Sequence, residues 1–325
     1  VFSIKIVANI KSMRKFIGIF LLLLSGFSVF SQGLNLEFHD DGVLFKEGED
    51  SVLFYQTAVK SLNGKYERAN YIHPLYSLDG QILTEDFPED HPHHRGIFWA
   101  WHQFYIGDKR IGDGWEIKDF KWEVNQVEAL KNNGNAKSIV ANVIWKSPLW
   151  LDDHGNEKPL VAENTTITVY PTNKNYRQVD IEISLLAMEP NTRIGGSEDE
   201  KGYGGFSPRI KLAENATFTA PTGKVTPQRL PIKAGNWMDI SGSLRNSSAV
   251  EGVAILSNPK NPGYPNPWIL RSKESMQNAV FPYPGEKGTT LSHIEPTILR
   301  YRLLIHNGLT PSEISKIHAR YAKGK

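Results

Sequence analysis

The sequence predicts an all-β protein, a large antiparallel β-sandwich closed by a short C-terminal helix. Three observations carry that expectation. From Leu34 onward the chain runs in short stretches of alternating or β-branched residues punctuated by Gly, Asn, Asp and Pro, the pattern of half-buried antiparallel strands joined by turns. Thr310-Pro311-Ser312-Glu313 forms a capping box with proline at the first helical position, and Ile314, Ile317 and Tyr321 follow at helical spacing. No glycine-rich turn leads from a strand into a helix, which removes the dinucleotide-binding and P-loop folds. Gly202-Tyr203-Gly204-Gly205 does not qualify, because a strand follows it.

In chain order, strands are expected over 34–39, 52–56, 69–75, 120–129, 138–145, 165–170, 177–186, 206–212, 250–257, 268–271, 277–281 and 297–306. Asn132-Asn133-Gly134-Asn135 reads as a hairpin turn, since Asn and Gly tolerate positive φ. The segment before the first strand reads as a leader. Met13-Arg14-Lys15 is a short basic start, 16–24 is apolar, and Val29-Phe30-Ser31 suits cleavage before Gln32. Translation is then expected to start at Met13, with 1–12 an upstream extension of the gene. Residues 1–31 would be removed, leaving 32–325 as a single β-sandwich catalytic domain in the periplasm or outside the cell. The apolar run is shorter than the roughly 20 residues needed to span a bilayer, so no stable membrane insertion is expected after removal. The chain has no cysteine, which excludes disulfides and lipid attachment at a cysteine. A formal charge of +2 gives no field for gathering nucleic acid, and acidic ligands would need a local arginine cluster.

The densest chemistry lies in Glu89-Asp90-His91-Pro92-His93-His94-Arg95-Gly96 and the following Ile97-Phe98-Trp99-Ala100-Trp101-His102. Imidazole titrates near neutral pH and is also the commonest metal ligand. A histidine beside Arg95 would be held neutral and able to accept a proton, whereas one beside Asp90 would be pushed the other way. Such a pair makes a base and an acid. As a metal site, His91 and His93 point the same way on an extended chain and Asp90 could join them, with His73 and His102 as remote ligands. No helical histidine pair or cysteine pair supports that divalent metal, and no other cofactor is expected. The plain alternative is a polar turn entering a buried strand. Trp99, Trp101 and Tyr105 alternate and share one face, with Phe98 and His102 on the other. Those rings either stack on a sugar or fill the core. The loop Ser197-Glu198-Asp199-Glu200-Lys201, with glycines around Tyr203, either approaches a ligand or is a solvated hairpin tip. Arg209, at the start of a strand, could grip a carboxylate or sulfate.

The strings Tyr71-Ile72-His73-Pro74-Leu75, His91-Pro92-His93-His94-Arg95-Gly96, Trp99-Ala100-Trp101 and Gly204-Gly205-Phe206-Ser207-Pro208-Arg209 resemble a large bacterial PmoA-related family of unknown function, often labelled a methane oxygenase subunit. A chain of short strands with no membrane span is incompatible with that label. Within the family the chain resembles the oligosaccharide dehydratase of ulvan breakdown, which removes water from a non-reducing-end uronic acid to leave a 4,5-unsaturated sugar. The resemblance implies an acidic oligosaccharide as partner. It also implies proton transfer by His93 and His94 with Tyr203 as substitute, carboxylate positioning by Arg95, Arg209 and His73, and ring stacking on Trp99 or Trp101. Three alternatives stay open: a polysaccharide lyase or other glycan-processing hydrolase, metal-assisted chemistry, and a non-catalytic carbohydrate-binding module.

Overall fold

The computed structural model describes residues 33–132, 134–243, 250–273 and 276–324. The chain divides into Val1–Ser31 and Gln32–Lys325. The expected leader lies outside the described residues, as does Asn133 of the predicted turn.

Two antiparallel sheets dominate. One has eight strands in the spatial order Leu34–His39, Gly42–Glu47, Asp50–Gln56, Tyr71–Leu75, Ile97–Trp101, Gly204–Pro208, Asn278–Val280 and Trp268–Ile269. The other has nine, in the order Lys121–Leu130, Lys137–Lys146, Val161–Val169, Tyr176–Ala187, Thr297–Asn307, Glu251–Ser257, Trp237–Gly242, Thr217–Ala220 and Gly223–Val225. Along Tyr176–Ala187 every second residue is buried, the two-residue period of a strand with one face on a core. One apolar cluster draws Leu53, Ile97, Trp99 and Trp101 from the first sheet and Ile139, Val143, Ile181 and Leu303 from the second. Trp101 meets Trp145 at 5.6 Å and Phe206 stacks on Tyr301 at 4.3 Å, so the inner faces interlock as a sandwich. Full burial of each such aliphatic side chain stabilises the fold by roughly 1.5–3 kcal/mol.

The predicted strands are present with shifted ends, and several others join them. Gly42–Glu47, Gln103–Ile106, Lys109–Gly112, Thr192–Gly195 and Trp237–Gly242 were not expected. Their alternation is short or broken by a charge. Asp239 sits buried in the last of them because His306 Nε2 donates to its carboxylate at 3.0 Å and Ser241 Oγ donates at 3.0 Å. The C-terminal helix, Pro311–Tyr321, follows its signals. Thr310 Oγ accepts from Glu313 N and Glu313 Oε2 accepts from Thr310 N. Ile314, Ile317 and Tyr321 pack against Trp237, Leu256 and Leu304. Among the described residues no helix is long and apolar enough to cross a membrane.

The chain turns out of the eight-stranded sheet after Trp101 and enters a four-stranded sheet at Gln103, ordered Thr289–Thr290, Thr192–Gly195, Gln103–Ile106 and Lys109–Gly112. His102 occupies that corner. Residues of Ile97–Trp101 that do not face the sandwich, Phe98 and Ala100, join Tyr71, Trp115 and Met276 in a small separate cluster, which floors the site described below.

A carboxylate crosses the sandwich interior. Glu163 is 1% exposed and accepts from Asn70 Nδ2 at 2.7 Å, Trp99 Nε1 at 2.8 Å and Thr165 Oγ at 2.6 Å on one oxygen, and from Trp145 Nε1 at 2.7 Å on the other. Burial raises its proton affinity even against those four donors. An amide in its place would set its NH2 against an indole or other donor and leave it unpaired, at about 1–3 kcal/mol per stranded group. Glu163→Gln is therefore expected to lower stability by about 2–4 kcal/mol, seen as a lower urea midpoint with unchanged slope. A midpoint equal to that of the parent would contradict the assignment.

Candidate functional site

The histidine segment is a compact turn rather than an extended chain. His91 N donates to Pro88 O at 3.2 Å and His94 N to His91 O at 2.9 Å. Gly96 then adopts φ +48°, and a Cβ there would stand 2.1 Å from Ile72 O, so only glycine lets the segment close onto the sheet. The turns gather the rings: His91 stacks on His94 at 4.8 Å, and His93 meets His94 edge-on at 4.5 Å. They line a cavity of about 400 Å³ together with His102, Trp115, Glu116, Lys201, Tyr203 and Arg271.

Arg209 organises this cluster from behind. It is 3% exposed. Its Nε donates to Glu85 Oε2 at 2.8 Å, its Nη2 to both Asp90 oxygens at 2.7 and 2.9 Å, and its Nη1 to His94 Nδ1 at 3.0 Å. A guanidinium has no acceptor. His94 Nδ1 therefore accepts, and the ring proton is on Nε2. Burial, followed by the charges of His93 and Arg209, holds His94 neutral far below the usual imidazole range. Partial burial opposes ionisation of Asp90, but the bonds from Arg209 and His91 outweigh it and hold that carboxyl at about 2. His93 also stays neutral, lowered to about 4 by burial and then by His91, Arg68 and His102. Its Nδ1 lies 3.6 Å from Glu116 Oε2.

The opposite wall comes from the loop after Thr192–Gly195. Asp199 Oδ1 accepts from Ser197 Oγ at 2.6 Å and from Lys201 N at 3.2 Å, and Ser197 Oγ accepts from Tyr203 N at 2.9 Å. Gly202, at φ +64°, lies so near Gly285 that a Cβ would stand 2.6 Å from its Cα. The loop is thus stapled, and it presents Lys201 and Tyr203. Arg271 Nε and Nη2 both donate to Tyr203 Oη, the first at 2.8 Å. With both lone pairs engaged, the hydroxyl can act only as a donor.

Of the residues expected at the site, His93, His94 and Tyr203 come together. Arg209 is near but acts through His94 and does not line the cavity. Four others are elsewhere. Arg95 is fully buried with its donors committed to Asp86 Oδ1 at 2.5 Å, Tyr71 Oη at 2.5 Å, and the carbonyls of Lys60 and Tyr66, and its guanidinium lies 3.6 Å over the Phe87 ring. The cation beside the histidines is Arg209 instead. His73 bonds Thr84 Oγ at 2.9 Å away from the cavity. Trp99 and Trp101 face the sandwich core, their indoles donating to Glu163 and to Phe281 O at 2.7 Å. The alternation along the strand was sound, but the site is on the other face, where Phe98 lies. Trp115 supplies the cavity's indole, stacked on His102 at 5.3 Å. Among the described residues no three His, Asp or Glu side chains are placed to hold a metal ion; His91 Nδ1 pairs with Asp90 at 3.0 Å.

The sequence reading missed Asp113, Trp115, Glu116 and Arg271, and gave His102 only a remote metal role. His102 Nδ1 lies 3.1 Å from Asp113 Oδ2. Asp113 Oδ1 accepts from Trp115 N at 3.0 Å and Glu116 N at 2.9 Å. The string Gly112-Asp113-Gly114-Trp115 was the available signal, a turn with an aspartate able to cap its own backbone.

His73 and His93 both fall from 6.5 to about 4, burial being the main cause in each. Between those values the unfolded chain binds protons that the folded site refuses, so stability is complete above about pH 6.5 and declines toward pH 4. The unfolding midpoint should be lower at about pH 4.5 than at about pH 7, and His93→Gln should flatten that dependence. An unchanged slope in the variant would remove His93 from the account.

No curated protein matches the chain. A family model does, over most of its length: residues 43–319 match the family of unknown function DUF6807. That span holds every residue of the cavity and, apart from the edge strand Leu34–His39 and Gly42, all of both sheets, and the chain belongs to this family.

Proposed function

We propose that the cavity eliminates water from a uronic acid at the non-reducing end of an acidic oligosaccharide, giving a 4,5-unsaturated uronate. The supporting observation is the convergence of a neutral donor imidazole, an ammonium and a donor-only tyrosine on one cavity. Removing the proton at C5 places a second negative charge on the adjacent carboxylate, which must be met by preorganised donors. His94 Nε2–H supplies one, and Lys201 Nζ, held at the cavity by Asp199 Oδ2 at 2.9 Å, supplies the other. A neutral cavity imidazole takes the C5 proton. Electrons of that C–H bond form the C4–C5 double bond, the C4–O bond breaks, and the hydroxyl departs as water with the proton of Tyr203. The resemblance to the ulvan oligosaccharide dehydratase supports the same reading, with the roles of His73, His94, the arginines and the tryptophans reassigned.

A second reading has one observation in its favour. Beyond Tyr203 and Arg271 lies a further depression of about 420 Å³ that shares Lys201 with the cavity and is bordered by Gln228, Arg229 and Ser272. Space on the leaving-group side would suit a glycosidic oxygen, hence a polysaccharide lyase. Mass measurement after incubation with saturated uronate-terminated oligosaccharides separates the two. Dehydration gives one product lighter by a single water, whereas a lyase gives two fragments. Tyr203→Phe should lower kcat by about 10²–10⁴-fold. Unaltered masses across such substrates would defeat both readings.

A further inference from the structure

We infer that His102 is the base that removes the C5 proton and that Asp113 is its positioning residue. The inference rests on the elimination chemistry proposed above. The four cavity histidines are not equivalent. His94 Nδ1 is occupied by Arg209, so its other nitrogen carries the proton and cannot accept one without breaking that bond. His93 has only Glu116 at 3.6 Å, beyond hydrogen-bond reach, and its low proton affinity makes it a weak base. His91 has a carboxylate, but both His91 and Asp90 are 39% exposed at the rim, and Asp90 is bidentate to Arg209. Solvent and that guanidinium screen its support.

His102 differs in its shelter and in the nitrogen it leaves to accept. A carboxylate only accepts, so the 3.1 Å contact with Asp113 Oδ2 places the ring proton on Nδ1 and leaves the Nε2 lone pair free. The pair is sheltered, with side chains 16% and 12% exposed. Arg110 Nη2 also reaches Asp113 Oδ2 at 3.2 Å and donates to His102 O at 2.8 Å, which fixes both partners from the outside. The other Asp113 oxygen holds the backbone of Trp115 and Glu116, and Trp115 stacks against the His102 ring at an interplanar angle of 22°. One carboxylate thus sets the tautomer, the ring plane and the adjacent wall. When His102 takes the proton, Asp113 stabilises the imidazolium. Tyr203 ends the step as its anion, and transfer of the proton from His102 to Tyr203 through solvent restores both groups.

Asp113→Asn is the informative change. Its amide oxygen can keep the bonds to Trp115 N and Glu116 N, while its NH2 donates to His102 Nδ1 and forces the ring proton onto Nε2. The analogous tautomer reversal in a serine protease triad costs about 10⁴-fold in kcat. Turnover of a uronate-terminated oligosaccharide by Asp113→Asn and by His102→Gln should fall by about 10³-fold or more, with KM changed only a few-fold. His102→Gln leaves the turn around Asp113 intact and decides the matter if the first variant unfolds. Loosening of the wall alone would instead raise KM and lower the unfolding midpoint. Wild-type elimination together with a kcat within about tenfold of wild type in His102→Gln overturns this assignment and leaves the proposed reaction standing. A wild-type protein that dehydrates no uronate overturns the reaction and the assignment together.

Discussion

The architecture of the site depends on one buried guanidinium. Arg209 follows the strand Gly204–Pro208 and meets Glu85, Asp90 and His94, the last 115 residues away in sequence. Taking such a cation out of water is costly, and removing one member of a buried pair usually costs about 3–5 kcal/mol because the remaining charge is left uncompensated. Here two carboxylates and an imidazole compensate it. The same bonds close the histidine segment against the sheet and settle which nitrogen of His94 carries the proton. Structure and chemistry therefore share a single constraint: if Arg209 were displaced, the turn and the tautomer would be lost together.

Below that constraint lies a rigid floor. The strand Ile97–Trp101 divides its side chains between two tasks. Trp99 and Trp101 enter the sandwich, where Trp99 meets the Glu163 carboxylate, and Phe98 and Ala100 face the cavity side. Arg68 lies beneath, 4.9 Å over Phe98 and 4.0 Å over Trp122, with Nη2 donating to Gly114 O at 2.6 Å. The cavity's lining groups stand on the connections above: His91 to His94 on one, Trp115 and Glu116 on a second, Lys201 and Tyr203 on a third. Loops held on a well-packed scaffold can carry fixed geometry without themselves forming a core.

The strand pattern, the helix and the histidine segment were readable in the sequence because each has a local signature. Period-two burial along Tyr176–Ala187 and the Thr310–Glu313 capping box need no tertiary information. Short strands such as Lys109–Gly112 were not readable, because four residues with two exposed lysine and arginine side chains carry no distinct period. Alternation correctly placed Trp99 with Trp101, but it cannot say which face meets the core. The choice between Arg95 and Arg209 was also beyond local pattern. Arg95 is adjacent to His94 in sequence, yet the chain directs consecutive side chains apart, and the contact came from a distant strand. The same holds for Arg271 with Tyr203, and for His102, whose carboxylate partner lies eleven residues on.

Under the proposed elimination, an acidic substrate would do more in the cavity than be attracted to it. Arg68 adds to the burial that holds His93 neutral, and Arg209 and Arg68 add to that of His94. These cations oppose protonation of those two rings, and the bond from Arg209 keeps His94 in its donating form. A carboxylate entering beside Lys201 adds negative charge and weakens that opposition. The proton affinity of His93 and His94 would then rise with such a carboxylate in place. For the proposed elimination, the carboxylate that makes the C5 proton removable would also ease the burden of positive charge on the rings beside it. A neutral sugar would gain neither effect, so in the proposed reaction discrimination between acidic and neutral rings would fall on the chemical step as well as on binding.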